Sequence, residues 1–423
     1  MKATLDGVAP YVYKQSTDTY GSLVRVGPND LITDDPEIIR RMMAVRSPYI
    51  RGPWHGVQKL DPARDNLFSM RDEEKHRDLR SKMAAGYSGK ENLSMESTID
   101  LQIAKLMELI ETKYISRDGT YRPMDMGQKG QFFTLDVISD LAFGEAFGFL
   151  EKDDDVYDYI KITKGFIPFM IVLCHQYWLA DLLHSGPFRG LFPQASDKFG
   201  FGAFIGVTNK AVAARFQPGA ENQFDMLGSF IRHGLTQEEA SGEALLQVMA
   251  GSDTSATTIR MVLLYLLTTP RAYRRLQKEI DDGIASGKIS TPIKNSEGKE
   301  LPYLQAVVKE TLRLNPRRLG HFSSRSKKTF GEDAEIFRPE RWIEEPDKER
   351  LAVMSSTVDL VFHYGKYQCI GRPVALMEFN KIFVELLRRF DFSIANPHKP
   401  ADITNFGIWA IENFWVRVEK REF

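Results

Sequence analysis

From about Asp72 the apolar positions recur at helical spacing for some two hundred residues. The chain there reads as successive helices near 72–86, 97–113, 131–150, 153–164, 196–216 and 223–233. The longest helix is predicted to start at Thr236, where Thr236 and Glu239 have the spacing of a capping box. Its apolar positions run through Ala244, Leu245, Val248, Met249, Val262, Leu263, Leu266 and Leu267. Thr269 and Pro270 open a further helix, with proline in the first turn where its missing N–H costs nothing. Gly283 to Gly298 reads as a polar connection, and another helix carries Leu304 to Leu314. The pattern is then irregular up to Pro373, where a helix begins with Leu376, Phe379, Phe383, Leu386, Leu387 and Phe390 on one stripe.

Period-two alternation is confined to the ends. Ser22 to Gly27 reads as a strand, and Phe414, Val416 and Val418 as a closing one. Asp35 caps a short helix entered through Pro36, and Ser47 to Asn66 is rich in proline, glycine and aromatics and reads as loop. Short strands and loops are expected for the rest of the first sixty residues. The expected fold is mainly α with minor β, one continuous domain over 1–423 without repeats or a flexible linker.

The 423 residues are 43% hydrophobic, enough for a large core. Lys plus Arg is 56 against Asp plus Glu 57, a net charge of −1, so a nucleic-acid partner is not expected. Two cysteines, Cys174 and Cys369, suit an intracellular reducing compartment. The opening residues lack the apolar stretch of a secretory signal or a membrane anchor. The best apolar run, Phe166 to Leu183, is broken by Pro168, His175, Gln176 and Asp181 and reads as core or interfacial helix.

The chemistry is concentrated around Cys369. In Phe362-His-Tyr-Gly-Lys-Tyr-Gln-Cys369-Ile-Gly-Arg-Pro, Gly365 permits a tight turn and Gly371 permits close approach of a flat ligand. The helix opening at Pro373 favours negative charge at its N-terminus, and so favours a thiolate at Cys369. A thiolate is one of the axial ligands used by haem proteins. The bland alternative is a buried structural cysteine; that reading stands for Cys174. In the middle of the longest helix, Ala250-Gly-Ser-Asp-Thr-Ser255 places glycine and hydroxyl residues where they bend or bulge a helix. Glu310 and Arg313 share a helix face, as do His76 and Arg80.

The cysteine loop resembles the haem-binding signature of the cytochrome P-450 family, through Phe362, Gly365, Cys369 and Gly371. Tyr367 stands where the family usually has arginine; Lys366 is its basic neighbour. The resemblance implies that Cys369 is the axial ligand of haem b. It implies that Gly251, Asp253 and Thr254 form the oxygen-binding segment, with Asp253 and Thr254 delivering protons. It implies that His76 and Arg80 meet the haem propionates. Glu310, Arg313 and Arg341 of the Phe337-Arg-Pro-Glu-Arg341-Trp segment would form a buried structural network. With 56 residues from Thr254 to Glu310, the motifs keep the family's order and spacing over nearly the whole chain.

Fungal members acting on secondary metabolites are the nearest in character, through Ser47-Pro-Tyr-Ile-Arg-Gly-Pro-Trp and Lys82-Met-Ala-Ala-Gly-Tyr-Ser-Gly-Lys. The implied activity is a monooxygenase. It would insert one atom of O2 into an apolar small molecule with electrons from an NADPH-dependent reductase. The family implies residence at the endoplasmic reticulum surface, with peripheral membrane contact through Phe166–Trp178 and Pro187–Phe192. Only 23 residues separate Arg313 from Phe337, fewer than the family carries. An internal deletion between 316 and 330, removing part of the small sheet, is therefore expected. A haem-binding relative with little turnover is the alternative it raises.

Overall fold

The computed structural model describes residues 2–61, 64–117, 119–184, 193–198, 200–315 and 323–422. In chain order its principal elements begin with α1 (Ala9–Tyr20), β1 (Leu23–Arg25), β2 (Leu31–Thr33) and α2 (Pro36–Met43). There follow α3 (Glu73–Tyr87), α4 (Met95–Leu109), β3 (Met124–Asp125), α5 (Met126–Phe143), α6 (Tyr159–His175), α7 (Gly200–Arg215) and α8 (Met226–Arg232). Next come α9 (Gln237–Thr268), α10 (Pro270–Ala285), α11 (Pro302–Leu314), α12 (Lys348–Asp359) and α13 (Arg372–Leu387). The chain closes with β4 (Phe390–Ile394), β5 (Asp402–Asn405), β6 (Trp409–Glu412) and β7 (Trp415–Lys420). The fold is mostly helical, with small antiparallel sheets, as the hydrophobic pattern predicts.

Two compact units are interleaved along the sequence. One holds Tyr49–Gln102 and Gln131–Asp253; the other holds Lys2–Pro48, Ile103–Gly130 and Thr254–Phe423. In the first, α3 packs on α8, and Gly86 lets Phe230 approach to where a Cβ would lie 2.7 Å from its ring. Phe166 of α6 stacks on Phe201 of α7 with centroids 4.9 Å apart. Buried Asp136 accepts the N–H groups of Gly148, Phe149 and Leu150, satisfying a helical turn that has no capping side chain of its own. In the second unit, β7 is the central strand between β3 and β4, antiparallel to both, with Val416 and Val418 wholly buried. β1 pairs with β2, and β5 with β6, as separate antiparallel ribbons.

Several boundaries follow the expected chemistry. Asp35 accepts from the N–H groups of Glu37 and Ile38 and caps α2. Thr236 and Glu239 exchange the two bonds of the capping box at the start of α9. Pro270 sits in the first turn of α10. Other expectations are corrected. The first sixty residues contain α1, whose weakly apolar sequence hides it; Pro10 in its first turn is the local signal. The helix expected over 153–164 instead runs as α6 from Tyr159 through Pro168 to His175, because Asp153, Tyr157 and Asp158 have positive φ. The 131–150 helix stops at Phe143, before Gly144 at φ 78°. The irregular stretch before Pro373 contains α12, capped by Asp347. Phe390 opens β4 rather than extending the helical stripe.

The predicted bulge in the longest helix is absent: α9 is α-helical throughout Gln237–Thr268. Back-bonding is present nonetheless, since Thr258 Oγ1 donates to the Thr254 carbonyl at 3.3 Å. Residues 316–322, at the heart of the expected deletion, lie outside the described residues. Among the described residues no strand lies between Leu314 and Phe390.

Candidate active site

The loop before α13 is built around one main-chain bond: Cys369 N–H donates to the Phe362 carbonyl at 2.7 Å. Gly365 makes the turn possible twice over. Its φ is 57°, and a Cβ there would lie 2.3 Å from the Met43 carbonyl oxygen. Cys369 is exposed and in no disulfide, and its helix begins three residues on at Arg372. Gly371 is the N-cap residue of that helix. Arg372 pairs with Asp359 at 2.9 Å, and its guanidinium lies 5.4 Å over the Phe362 ring. Tyr367 packs on Ile39, Met43 and Leu360. The Lys366 ammonium sits 5.1 Å over the Tyr367 ring and donates to the Ser47 carbonyl at 3.3 Å, which supplies positive charge next to that tyrosine.

Glu310, Arg313 and Arg341 come together in the second unit, all buried. Arg313 grips Glu310 through two bonds of 2.8 and 2.9 Å, and Arg341 Nε adds a third at 2.9 Å. Trp342 Nε1 and the Arg338 N–H also donate to this carboxylate, at 2.9 and 3.0 Å. Asp333, 3.0 Å from Arg341, supplies the second negative charge. Burial pushes Asp333 up, but the Arg341 bond and the charges of Arg341 and Arg338 leave it below the usual carboxylate range. Arg313, Arg341 and the partly exposed Arg338 thus face two anions with their hydrogen-bonding capacity largely used, the condition under which a buried ionic cluster is tolerable.

On α9, Gly251 and Asp253 belong to the first unit and Thr254 to the second. Gly251 is required by packing: a Cβ there would lie 2.6 Å from Ile138 of α5. Gln131 of α5 donates its side-chain amide to Asp253 Oδ1. The Tyr159 hydroxyl lies 3.5 Å from that of Ser252; burial and the Asp253 charge hold the phenol well above its ordinary pKa, so it stays neutral. His76, buried, and Arg80, half-buried, lie one turn apart on α3, whose N-terminus is capped by Asp72.

Sequence reasoning missed Gln131, Tyr159, Glu243 and Glu378. Burial pushes Glu378 of α13 up to about 8, against the Ser255 hydroxyl bond, and its Oε2 has no hydrogen-bond partner. Burial likewise pushes Glu243 of α9 up to about 8; its Oε1 accepts the Leu67 N–H at 2.6 Å. A glutamate inside an apolar stripe was the only available signal for either.

Cys369 offers a single accessible sulfur. Among the described residues no group of three or more His, Cys, Asp or Glu is gathered to hold a bare ion. The donor set therefore fits a metal that brings its other ligands with it, as porphyrin iron does. Residues 10–318 and 321–414 match the sequence pattern of the family described as Cytochrome P450. The chain belongs to the cytochrome P450 family. It is 42% identical to cytochrome P450 monooxygenase ABA1 of Pyricularia oryzae, over 95% of this chain and 84% of the relative. It is 38% identical to cytochrome P450 monooxygenase aba1 of Botryotinia fuckeliana, over 100% and 89%. For abl1 of Leptosphaeria maculans the figures are 32%, 96% and 77%. This P450 is thus a monooxygenase of a family that implies a haem cofactor, O2, a substrate and a redox partner. The relatives do not favour the reading with little turnover. No single helix among the described residues is long and apolar enough to cross a membrane, although the bent pair Val156–His175 and Tyr177–Leu183 passes that test when taken together.

Proposed function

We propose that this P450 binds haem b through Cys369 and oxidises an apolar secondary metabolite with electrons from an NADPH-dependent reductase. The observation that carries the reading is the exposed Cys369, whose main-chain N–H is held by the Phe362 carbonyl just ahead of α13. When bound, haem supplies the oxygen-activating iron. The protein's part is to hold and to protonate. Cys369 donates sulfur. Gly365 and Gly371 leave the loop free of side-chain bulk, and Phe362 gives it an apolar floor. Arg80 and Lys366 supply positive charge to the propionates, and His76 and Tyr367 add hydrogen-bonding groups. Asp253 and Thr254 move protons, and Gly251 keeps space clear beside them. Glu310, Arg313 and Arg341 stiffen the chain leading to the loop.

The segments near Pro48–Phe68, Phe166–Leu183 and Phe406–Ile411 are apolar and aromatic in sequence and are proposed to decide the substrate, which supports an apolar substrate class. Exposed Phe169, Tyr177, Trp178 and Leu182 support peripheral contact with a membrane, proposed to be that of the endoplasmic reticulum. The other proposed contact, Pro187–Phe192, lies outside the described residues. The interruption of the family match at 319–320 supports a chain shortened between 316 and 330 within one P450 domain.

The test is spectroscopic. The reduced protein under carbon monoxide is expected to show the strongly red-shifted Soret band of thiolate ligation. An unshifted haem band, or none, overturns the assignment. A binding screen that follows the spin-state change of the ferric protein then identifies the substrate.

A further inference from the structure

We propose that Gln131 is a positioning residue for Asp253, fixing the rotamer of the carboxylate that moves protons; the inference rests on the reading of Asp253 given above. The contact is direct: Gln131, 5% exposed, donates its side-chain N–H to Asp253 Oδ1. It is also built into the packing of two helices. Gln131 and Ile138 lie two turns apart on one face of α5. Gly251 of α9 faces this side of α5, where Ile138 fills the space that a Gly251 Cβ would need. The Ile138–Gly251 approach sets the register of the two helices at the motif. Asp253 lies two residues beyond Gly251, about 200° round the helix, and the long Gln131 side chain spans that offset to reach it.

The chemistry of the partner matters. An amide does not titrate in the working range, so Gln131 is neither a proton source nor a sink. It is neutral, so it orients Asp253 without cancelling its charge. Tyr159, which senses the Asp253 charge, is also neutral and lies beside Ser252. The amide bond costs the carboxylate rotational freedom, which suits a group that must exchange protons from one direction.

The test uses the haem-loaded protein and two probes that need no substrate. Carbon monoxide bound to the reduced protein reports, through its infrared stretch, on the polar groups around it. NADPH with a fungal P450 reductase drives O2 consumption, read in H2O and D2O and divided between peroxide and water. Q131L is expected to broaden or split the carbon monoxide band, at least double the solvent isotope effect and raise the peroxide fraction. Q131E is expected to do the same at neutral pH, where a second carboxylate repels Asp253. Lowering the pH protonates one member of that pair at a raised pKa, restores a donor and returns Q131E towards the parent. Q131L shows no such recovery. Where Q131L holds haem poorly, the acid recovery of Q131E still separates aiming from folding. The proposal is overturned if Q131L and Q131E match the parent in both readouts while D253N departs from it. If D253N itself changes nothing, the proton-moving reading of Asp253 fails and the role of Gln131 falls with it.

Discussion

Phe362 and Cys369 are tied by a 2.7 Å main-chain bond, so this closure of the turn does not depend on the cysteine side chain. Replacing the side chain leaves that bond intact. Cys369→Ala should therefore keep the secondary structure seen by circular dichroism while losing the thiolate-type carbon monoxide spectrum entirely. Retention of that spectrum would show that another ligand is in use.

Gly365 should tolerate nothing larger. Its φ of 57° and the Met43 carbonyl 2.3 Å from a notional Cβ each oppose a side chain. Gly365→Ala is expected to cost about 1–3 kcal/mol in backbone strain, more if the loop cannot shift. The readout is haem content per chain together with thermal midpoint. An unchanged midpoint with full haem would contradict the packing described for the turn.

Removing one partner of the Glu310 cluster strands a buried charge. Glu310→Ala leaves Arg313 and Arg341 facing each other without their shared anion, and about 3–5 kcal/mol of destabilisation is expected. Denaturant unfolding measures it. Arg341→Lys, which cannot reproduce the guanidinium's array of donors, should fall between the parent and Arg341→Ala.

Glu378 and Glu243 make the chain less stable as pH rises. Each is pushed up to about 8 in the fold, above the ordinary 4.5 that it would have unfolded. Between those values the folded state holds a proton that the unfolded chain has released. Stability is therefore full below pH 4.5 and falls towards pH 8, on the order of a few kcal/mol per group. Glu378→Gln and Glu243→Gln should each flatten that slope, and the double variant should flatten it most. Unfolding midpoints measured from mildly acid to mildly alkaline pH decide; parallel curves for parent and variants would show that neither carboxyl carries the linkage.

The legible parts of this chain were those with a local cause. Proline and Asp or Thr caps marked the starts of α2, α9 and α10, and the spacing of Phe362, Gly365, Cys369 and Gly371 marked the loop. What stayed hidden depends on contacts distant in sequence. Gln131 looks like an ordinary polar helix residue until α5 lies against α9. Glu378 looks like a solvated charge until α13 is buried. The bulge expected at Gly251 was a local inference overruled by packing: Ile138 occupies the glycine's free side, and the helix stays straight in its hydrogen bonding.

Trp342 gives the Glu310 cluster a voice of its own. Its indole N–H rests on the carboxylate at 2.9 Å, and the Lys309 ammonium stands 4.8 Å over the ring. The fluorophore is therefore wired to the charges that brace the approach to the cysteine loop. Its share of the emission from the chain's five tryptophans should change when those charges part, which gives loosening of the cluster an optical signature.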